Sequence, residues 1–409
     1  MAKTLDVYLH RELVGHLIQS VGGQMVFDYA ASWLERPGAQ PLSHSLPLRR
    51  ERFRQNECRG FFGGILPEEN NREIIARNLG ISARNDYALL ERIGGECAGA
   101  VTFLPAGVPL PERNDDYRVL SAAELAGVLR ELPRRPLLAG EAGIRLSLAG
   151  AQDKIAVRVE GDTISLPLSG APSTHILKPA VERFAGVVYN EAFCMGLAAA
   201  VGLPAAQTVI RNVEGIEYLL VERYDRTLSK SPEGAPRLER LHQEDFCQAL
   251  GIVSELKYQK EGGPSLKQIF ALLREVSSAP VLDLARLLDA VIFNFLAGNN
   301  DAHGKNFSVI YRAGETRLAP LYDVVSTCYY PELTREMAMR IGREYSCDRV
   351  SMRSFEQLAE DAGLAKPLVR RRVPELAENI LANLDAPAIA NPAAEALAEQ
   401  IRIRCNNFL

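Results

Sequence analysis

The sequence predicts an α+β fold in two lobes, with a β-rich N-terminal subdomain and a mainly helical C-terminal lobe. Three observations carry this expectation. Leu5-Asp6-Val7-Tyr8-Leu9 alternates with the period of a strand and opens residues 1–105, where strand-like runs are interrupted by two short helical stretches. Pro105, Pro109 and Pro111 then mark a linker. From Gln243 onward apolar residues recur mainly at helical spacing. The chain therefore divides into residues 1–105, 106–224 and 225–409.

The elements follow in order. A helix runs from Ser121, its cap, to Glu131, ahead of Pro133-Arg134-Arg135-Pro136. Arg145 to Val157 places strand-like residues on both sides of a small-residue centre, Ala149-Gly150-Ala151. Ser173-Thr174-His175-Ile176-Leu177-Lys178-Pro179 reads as a short strand ending at Lys178, and a helix is expected over 190–201. Tyr218-Leu219-Leu220-Val221 is a strand that runs into Glu222-Arg223-Tyr224, with a polar loop from Ser229 to Pro236. Residues 281–297 carry Leu284, Leu287, Leu288, Val291, Phe295 and Leu296 at helical spacing, and Gly298 terminates them. Phe307 to Tyr311 and Leu318 to Tyr322 read as a hairpin turning at Gly314 and closed by Asp323. Residues 392–406 have the spacing of a last amphipathic helix.

Composition bounds the function. The chain has 409 residues, 47% of them hydrophobic, enough for a large core. A net charge of -4 does not predict autonomous nucleic-acid binding, which needs a basic excess. Arg49, Arg50, Arg52, Arg54 and Arg59 form one local basic cluster and Arg370-Arg371-Arg372 another, most simply solvated helix faces. Seven scattered cysteines without metal-ligand spacing suit reduced thiols and a cytoplasmic location. No apolar run of about 18 residues escapes polar interruption, so no membrane span is expected.

The stretch Gly298-Asn299-Asn300-Asp301-Ala302-His303-Gly304-Lys305-Asn306, followed by Asp323, carries the most chemistry. It orders an acid, an amide and a second acid as phosphoryl transfer from ATP requires. Asp301 would orient an attacking hydroxyl and accept its proton, while Asn306 and Asp323 would hold magnesium against the phosphates. The step from Asp301 to Asn306 equals Asp-x-x-x-x-Asn of the protein-kinase catalytic loop. Asn, Asp, His and Gly also form plain turns, so other segments must decide. Small residues at Ala149-Gly150-Ala151 let backbone N–H groups approach phosphate, with Lys154 adding charge; a plain hairpin turn would look the same. There is no Walker A motif. Lys178 at a strand end could pair with phosphates. Glu191 either steadies Lys178 or sits in a first helical turn where the dipole favours an acid. Glu222, Arg223 and Tyr224 end a strand at a point that could offer backbone groups to adenine.

Ser147-Leu148-Ala149-Gly150-Ala151-Gln152-Asp153-Lys154, Ser173 to Pro179, Val221-Glu222-Arg223-Tyr224-Asp225-Arg226, Leu241 to Gly251, Asn300 to Asn306 and Tyr322-Asp323 together resemble the HipA family of serine/threonine kinases. These are the toxin halves of bacterial HipBA toxin–antitoxin pairs. Phe61-Phe62-Gly63-Gly64-Ile65-Leu66-Pro67 looks like the family's first subdomain. The resemblance implies a bilobed protein-kinase-like fold with residues 106–224 as the nucleotide-binding lobe. It implies Asp301 as catalytic base, and Asn306 and Asp323 as magnesium ligands. ATP contacts would come from Ala149, Gly150, Ala151, Gln152, Asp153, Lys154, Lys178, Glu222, Arg223, Tyr224, His303, Tyr322 and Asp323. Ser147 matches the serine that family members autophosphorylate to shut the kinase off. Further implications are an aminoacyl-tRNA synthetase substrate, a helix-turn-helix antitoxin partner and operator DNA bound through that complex. A catalytically inactive co-repressor scaffold and a small-molecule kinase are the alternatives of other classes.

Overall fold

The opening alternation becomes strand β1 (Lys3–Leu9), with Leu5, Val7 and Leu9 buried as a period of two requires. β2 (Glu12–Gln19), β3 (Met25–Tyr29) and β4 (Val101–Pro105) complete an antiparallel sheet in the order β3-β2-β1-β4. Four helices separate β3 from β4, two more than expected: α1 (Ala31–Leu34), α2 (Gln55–Gly64), α3 (Glu69–Leu79) and α4 (Asp86–Ile93). Helix α2 contains Gly60, Gly63 and Gly64, each costing about 1 kcal/mol of helix propensity. Packing overrides that cost. A Cβ at Gly60 would lie 2.4 Å from the Gly251 carbonyl carbon, and one at Gly64 would lie 2.6 Å from Gln248 Cγ. The glycines that weaken the helical pattern are what allow the helix to seat.

The chain continues through β5 (Tyr117–Val119), α5 (Ala122–Glu131), β6 (Ile155–Glu160), β7 (Thr163–Pro167) and β8 (His175–Pro179). Ser121 caps α5 as expected, with Glu124 returning a carboxylate to the Ser121 N–H at 2.8 Å. Strands β5-β7-β6-β8 are neighbours in that order. Next come α6 (Val187–Ala200), β9 (Thr208–Val213), β10 (Ile216–Glu222), β11 (Arg226–Lys230), β12 (Pro236–Arg240), β13 (His242–Asp245) and α7 (Phe246–Ala249). The polar loop expected from Ser229 to Pro236 starts and ends within paired strands, Ser229 with Arg237 and Lys230 with Pro236, and residues 231–235 lie outside the described residues. Helix α6 starts three residues before the expected Asn190, after Gly186 in the left-handed region. Asn190 and Glu191 therefore lie beyond the first turn, where the dipole effect has faded, and both are buried.

The last third holds α8 (Leu266–Val276), α9 (Pro280–Ala297), β14 (Ser308–Arg312), β15 (Glu315–Leu318), β16 (Glu336–Ile341), β17 (Glu344–Ser346), α10 (Met352–Ala362), α11 (Lys366–Ala382) and α12 (Pro392–Asn406). The last helix has the bounds its periodicity predicts. The hairpin does not. Ala313 and Gly314 both take positive φ, so the turn has two residues and Arg312 pairs directly with Glu315. The return strand thus spans 315–318 and not 318–322. Asp323 lies five residues past it instead of closing it. β16–β17 is a second hairpin in a region expected to be helical.

The computed structural model describes residues 2–111, 116–181, 183–230 and 236–409. They form two compact units. One comprises Met1–Pro179, Asn212–Ile216 and Leu220–Glu255; the other comprises Ala180–Arg211, Glu217–Leu219 and Leu256–Leu409. Positions 105 and 224, expected as boundaries, both fall inside the first unit.

Candidate active site

In the second unit the site is built on α9. Its side chains are buried over most of its length, so it is a rigid support. Near its start, buried Asp283 accepts Arg317 Nε and Nη2, both at 3.0 Å, and Ser277 Oγ at 2.6 Å, which ties the helix to β15. Its end is set by Gly298 at φ +79°, where a Cβ would meet Ser326 Oγ at 2.9 Å and Cys328 Cβ at 3.0 Å. Only glycine fits both demands.

The following loop is held by amides. Asn299 Nδ2 donates to Asn294 Oδ1 at 2.7 Å, and Asn299 Oδ1 accepts from the Asp301 N–H at 3.1 Å. Asp301 is exposed, and one carboxylate oxygen accepts the Tyr258 hydroxyl at 2.9 Å. The Tyr258 ring stands edge-on to His303 with centroids 5.5 Å apart. A short turn over Gly304–Asn306 follows, with the His303 N–H on Asn306 Oδ1 at 3.2 Å. Asn306 Nδ2 donates to Asp323 Oδ2 at 3.2 Å, so two of the predicted ligands lie side by side. Asp323 has φ +59°, a left-handed conformation that Asp tolerates better than most residues and that clusters at functional sites. Tyr322 packs beneath, its hydroxyl donating to Lys305 O at 2.6 Å and lying 2.6 Å from Ser308 Oγ. Asn190 on α6 then grips the chain after Asp323, donating to Ser326 O at 3.0 Å and accepting from Ser326 N at 2.8 Å. Asp301, His303, Asn306, Tyr322 and Asp323 are thus one local constellation. The Asn306 carbonyl oxygen and the Asp323 carboxylate are hard donors of the kind Mg²⁺ takes when phosphates and waters fill its remaining positions. The donor chemistry fits the ion.

The remaining predicted residues lie in the first unit. Ser147 is fully buried; its hydroxyl donates to Ile65 O at 2.9 Å and its N–H to Glu96 O at 2.9 Å. The loop after it is tied to the start of α3. Glu68 N–H reaches Gly150 O at 3.3 Å, and Asn71 Nδ2 reaches Ala151 O at 2.9 Å. Ala151 is exposed, while Ala149, Gln152, Asp153 and Lys154 are half-buried. Burial pushes the Asp153 carboxyl up, against an opposing hydrogen bond from Asn71. Lys154 Nζ sits only 2.6 Å from where a Gly150 side chain would start. Lys178 is the penultimate residue of β8, one short of the strand end at Pro179, and is buried.

At the predicted hinge, Glu222 is exposed and Tyr224 is half-buried with its hydroxyl on Gln243. The Arg223 N–H donates to Thr174 O at 2.9 Å, and its carbonyl accepts Arg226 N at 3.3 Å. Its guanidinium holds Asp225 at 2.9 and 3.0 Å and Glu96 at 3.1 Å. The Arg223 side chain and backbone N–H are thus both engaged within the first unit.

Residues 146–384 match the HipA-like C-terminal domain, and residues 5–104 match the HipA N-terminal domain. The chain belongs to the HipA family. Its relatives include Y4mE of Sinorhizobium fredii, which carries a kinase designation and is 47% identical over 92% of this chain and 90% of its own length. The serine/threonine-protein kinase toxin HipA of Shewanella oneidensis is 28% identical over 99% of this chain and 96% of its own. The structure of Shewanella oneidensis HipA with HipB and operator DNA superposes with a TM-score of 0.85 over 98% of this chain and 96% of that one. Membership makes the protein a serine/threonine kinase of the HipA type with the α+β kinase-like fold.

Several residues of this HipA-family chain escaped sequence reasoning. Tyr258 and Asn71 position the loops from places that no motif marks, and Asn190 was expected only as the start of a helix. Both arginine clusters have acidic partners. Arg49 pairs with Glu57 at 2.6 Å, Arg59 with Asp86 at 2.9 Å, Arg370 with Glu356 at 2.5 Å and Arg372 with Asp289 at 2.6 Å. They read as ion-paired surfaces. Among the described residues no helix is long and apolar enough to cross a membrane.

Proposed function

We propose that this chain transfers the γ-phosphoryl group of ATP to a serine or threonine of a protein and acts as the toxin of a type II toxin–antitoxin pair. One observation carries the chemistry: the Asn306–Asp323 pair at 3.2 Å, in the same loop system as an exposed Asp301. Asp301 aligns the acceptor hydroxyl and takes its proton. Asn306 and Asp323 hold magnesium, which when bound neutralises charge on the phosphates. Nucleotide contacts are proposed for Lys178, the 149–154 loop, Glu222, Arg223 and Tyr224 of the first unit, and for His303 and Tyr322 of the second.

Ser147 is the proposed autophosphorylation site. Its hydroxyl is buried on Ile65, so the segment must leave this position before it can accept phosphate. The roughly two negative charges of phosphoserine then oppose its return beside a phosphate-binding loop. An aminoacyl-tRNA synthetase is the proposed substrate and the cytoplasm the proposed location. A HipB-like helix-turn-helix antitoxin is the proposed partner, with operator DNA bound through the complex. The Shewanella structure with HipB and operator DNA supports this assembly.

Incubation with γ-labelled ATP and magnesium tests the reading. Label on Ser147 of the wild type is expected. Asp301→Asn should lower transfer by roughly 100-fold or more while ATP affinity stays unchanged. Transfer only to a small metabolite would favour a small-molecule kinase, and no ATP binding would favour a co-repressor scaffold.

A further inference from the structure

Two of the seven cysteines meet behind the catalytic loop, although nineteen positions separate them. Cys328 lies in a short turn over Thr327–Tyr329 and Cys347 in another over Cys347–Arg349. Their sulfurs are 4.0 Å apart. Arg404 Nη2 lies 2.7 Å from Cys328 Sγ and 3.6 Å from Cys347 Sγ, and Asn300 Nδ2 donates to the same two sulfurs at 3.2 and 3.6 Å. Asp348 Oδ1 is 3.7 Å from Cys347 Sγ and is itself paired to Arg335. The hydrogen bond with Cys328, with Arg404 and Arg335 adding positive charge, favours a thiolate on Cys347 against its burial. Cys328 is half-buried and Cys347 buried, so a small oxidant reaches the pair from the Cys328 side. Cys328 is the protonated partner, pushed up by its hydrogen bond to Cys347 and by burial; burial likewise pushes Cys58, Cys97, Cys194 and Cys405 up to about 12.

We propose that Cys328 and Cys347 are a redox couple that closes to an intrachain disulfide under a hydroperoxide and thereby loosens the loop carrying Asp301. The thiolate attacks a peroxide oxygen, the O–O bond breaks, and hydroxide leaves, giving a sulfenic acid. The second sulfur attacks that sulfur, the S–O bond breaks, and water leaves with the second thiol's proton. Two thiols lose two electrons to one peroxide. Closure from 4.0 Å to about 2.05 Å requires a shift of roughly 2 Å, within reach of two short turns. The consequence for the loop follows from Asn300, the residue before Asp301. Its amide loses a thiolate acceptor, Arg404 loses its counter-charge, and Cys328, whose N–H holds Gly298 O at 3.0 Å, is pulled towards Cys347.

The test treats the full chain with hydrogen peroxide. Expected are the loss of two of the seven titratable thiols, a single Cys328–Cys347 cross-linked peptide by mass, faster amide exchange over residues 299–304, and full reversal by dithiothreitol. Cys347→Ser should form no cross-link and keep the slow exchange. Seven intact thiols, or a cross-link through another cysteine, would overturn the couple. A cross-link with unchanged exchange would overturn its link to the loop. Resting on the proposed kinase reading, phosphoryl transfer should also fall on the order of tenfold in the cross-linked form. Because thiol count and exchange need no activity, a chain that transfers no phosphate when reduced would count against the kinase reading alone.

Discussion

Tyr258 illustrates how one side chain outside any motif can set the reactivity of another. Its hydroxyl holds one oxygen of Asp301 at 2.9 Å and leaves the carboxylate oriented without burying it. Removing that hydrogen bond at an exposed site costs about 1 kcal/mol. Tyr258→Phe should therefore lower kcat about fivefold with KM for ATP little changed; a KM effect alone would place Tyr258 in nucleotide binding instead. His242 makes a different argument. Burial lowers its imidazole to about 4 from the ordinary 6.5, while a ring nitrogen sits 2.8 Å from Leu42 O. Between those values the unfolded chain takes up a proton that the folded chain refuses. Stability therefore falls as the pH drops from 6.5 towards 4, by about 2 kcal/mol on reaching roughly pH 5. His242→Gln should shrink the difference between urea midpoints at pH 7 and pH 5, and an unchanged difference would exclude His242 as its source.

Elements position the site more than loops do. Helix α9 is anchored at one end by the Asp283–Arg317 pair and stopped at the other by Gly298, so the acid that follows is presented from a fixed point. Helix α6 contributes Asn190, fully buried, which saturates both backbone groups of Ser326 and fixes the exit of the Asp323 segment. Asn190→Ala leaves two buried backbone groups unpaired and should destabilise the protein by about 2–4 kcal/mol, read from denaturant unfolding. A change below about 0.5 kcal/mol would mean that the segment is held elsewhere. Helix α9 was legible because eighteen residues carry a strong helical period and a glycine stop. The start of α6 and the register of the hairpin after Asn306 were not. The first has no polar cap, and the second is set by a two-residue turn that periodicity cannot locate.

In the molecule as a whole, burial of charge welds distant segments of the first unit. Glu96, fully buried, accepts Arg226 at 2.6 Å, Arg223 at 3.1 Å and the Ser173 hydroxyl at 2.9 Å. Burial pushes its carboxyl up, but Arg223, Arg226 and Arg240 outweigh that and hold it at about 2. Arg240 extends the network to Val101 O at 2.6 Å and Thr102 Oγ1 at 2.9 Å. Through this network residues 96–102 are hydrogen-bonded to Ser173 and to Arg223, Arg226 and Arg240 within the same unit. Glu96→Ala strands buried guanidinium groups and should cost roughly 3–5 kcal/mol. The unfolding free energy of that variant tests this, and a near-neutral change would show that the weld is dispensable.

Local periodicity and caps were enough to set the bounds of α9 and α12, and motif spacing was enough to single out Asp301 and Asn306 as candidates and to carry the family resemblance. Those features are short-range, and side chains three, four or five residues apart are constrained by the backbone alone. Partners from nineteen to nearly two hundred positions apart are not. The commitment of Arg223 to Glu96, the hold of Tyr258 on Asp301, the seating of α2 through its glycines and the meeting of Cys328 with Cys347 depend on long-range packing, where burial energy selects contacts that no local pattern encodes.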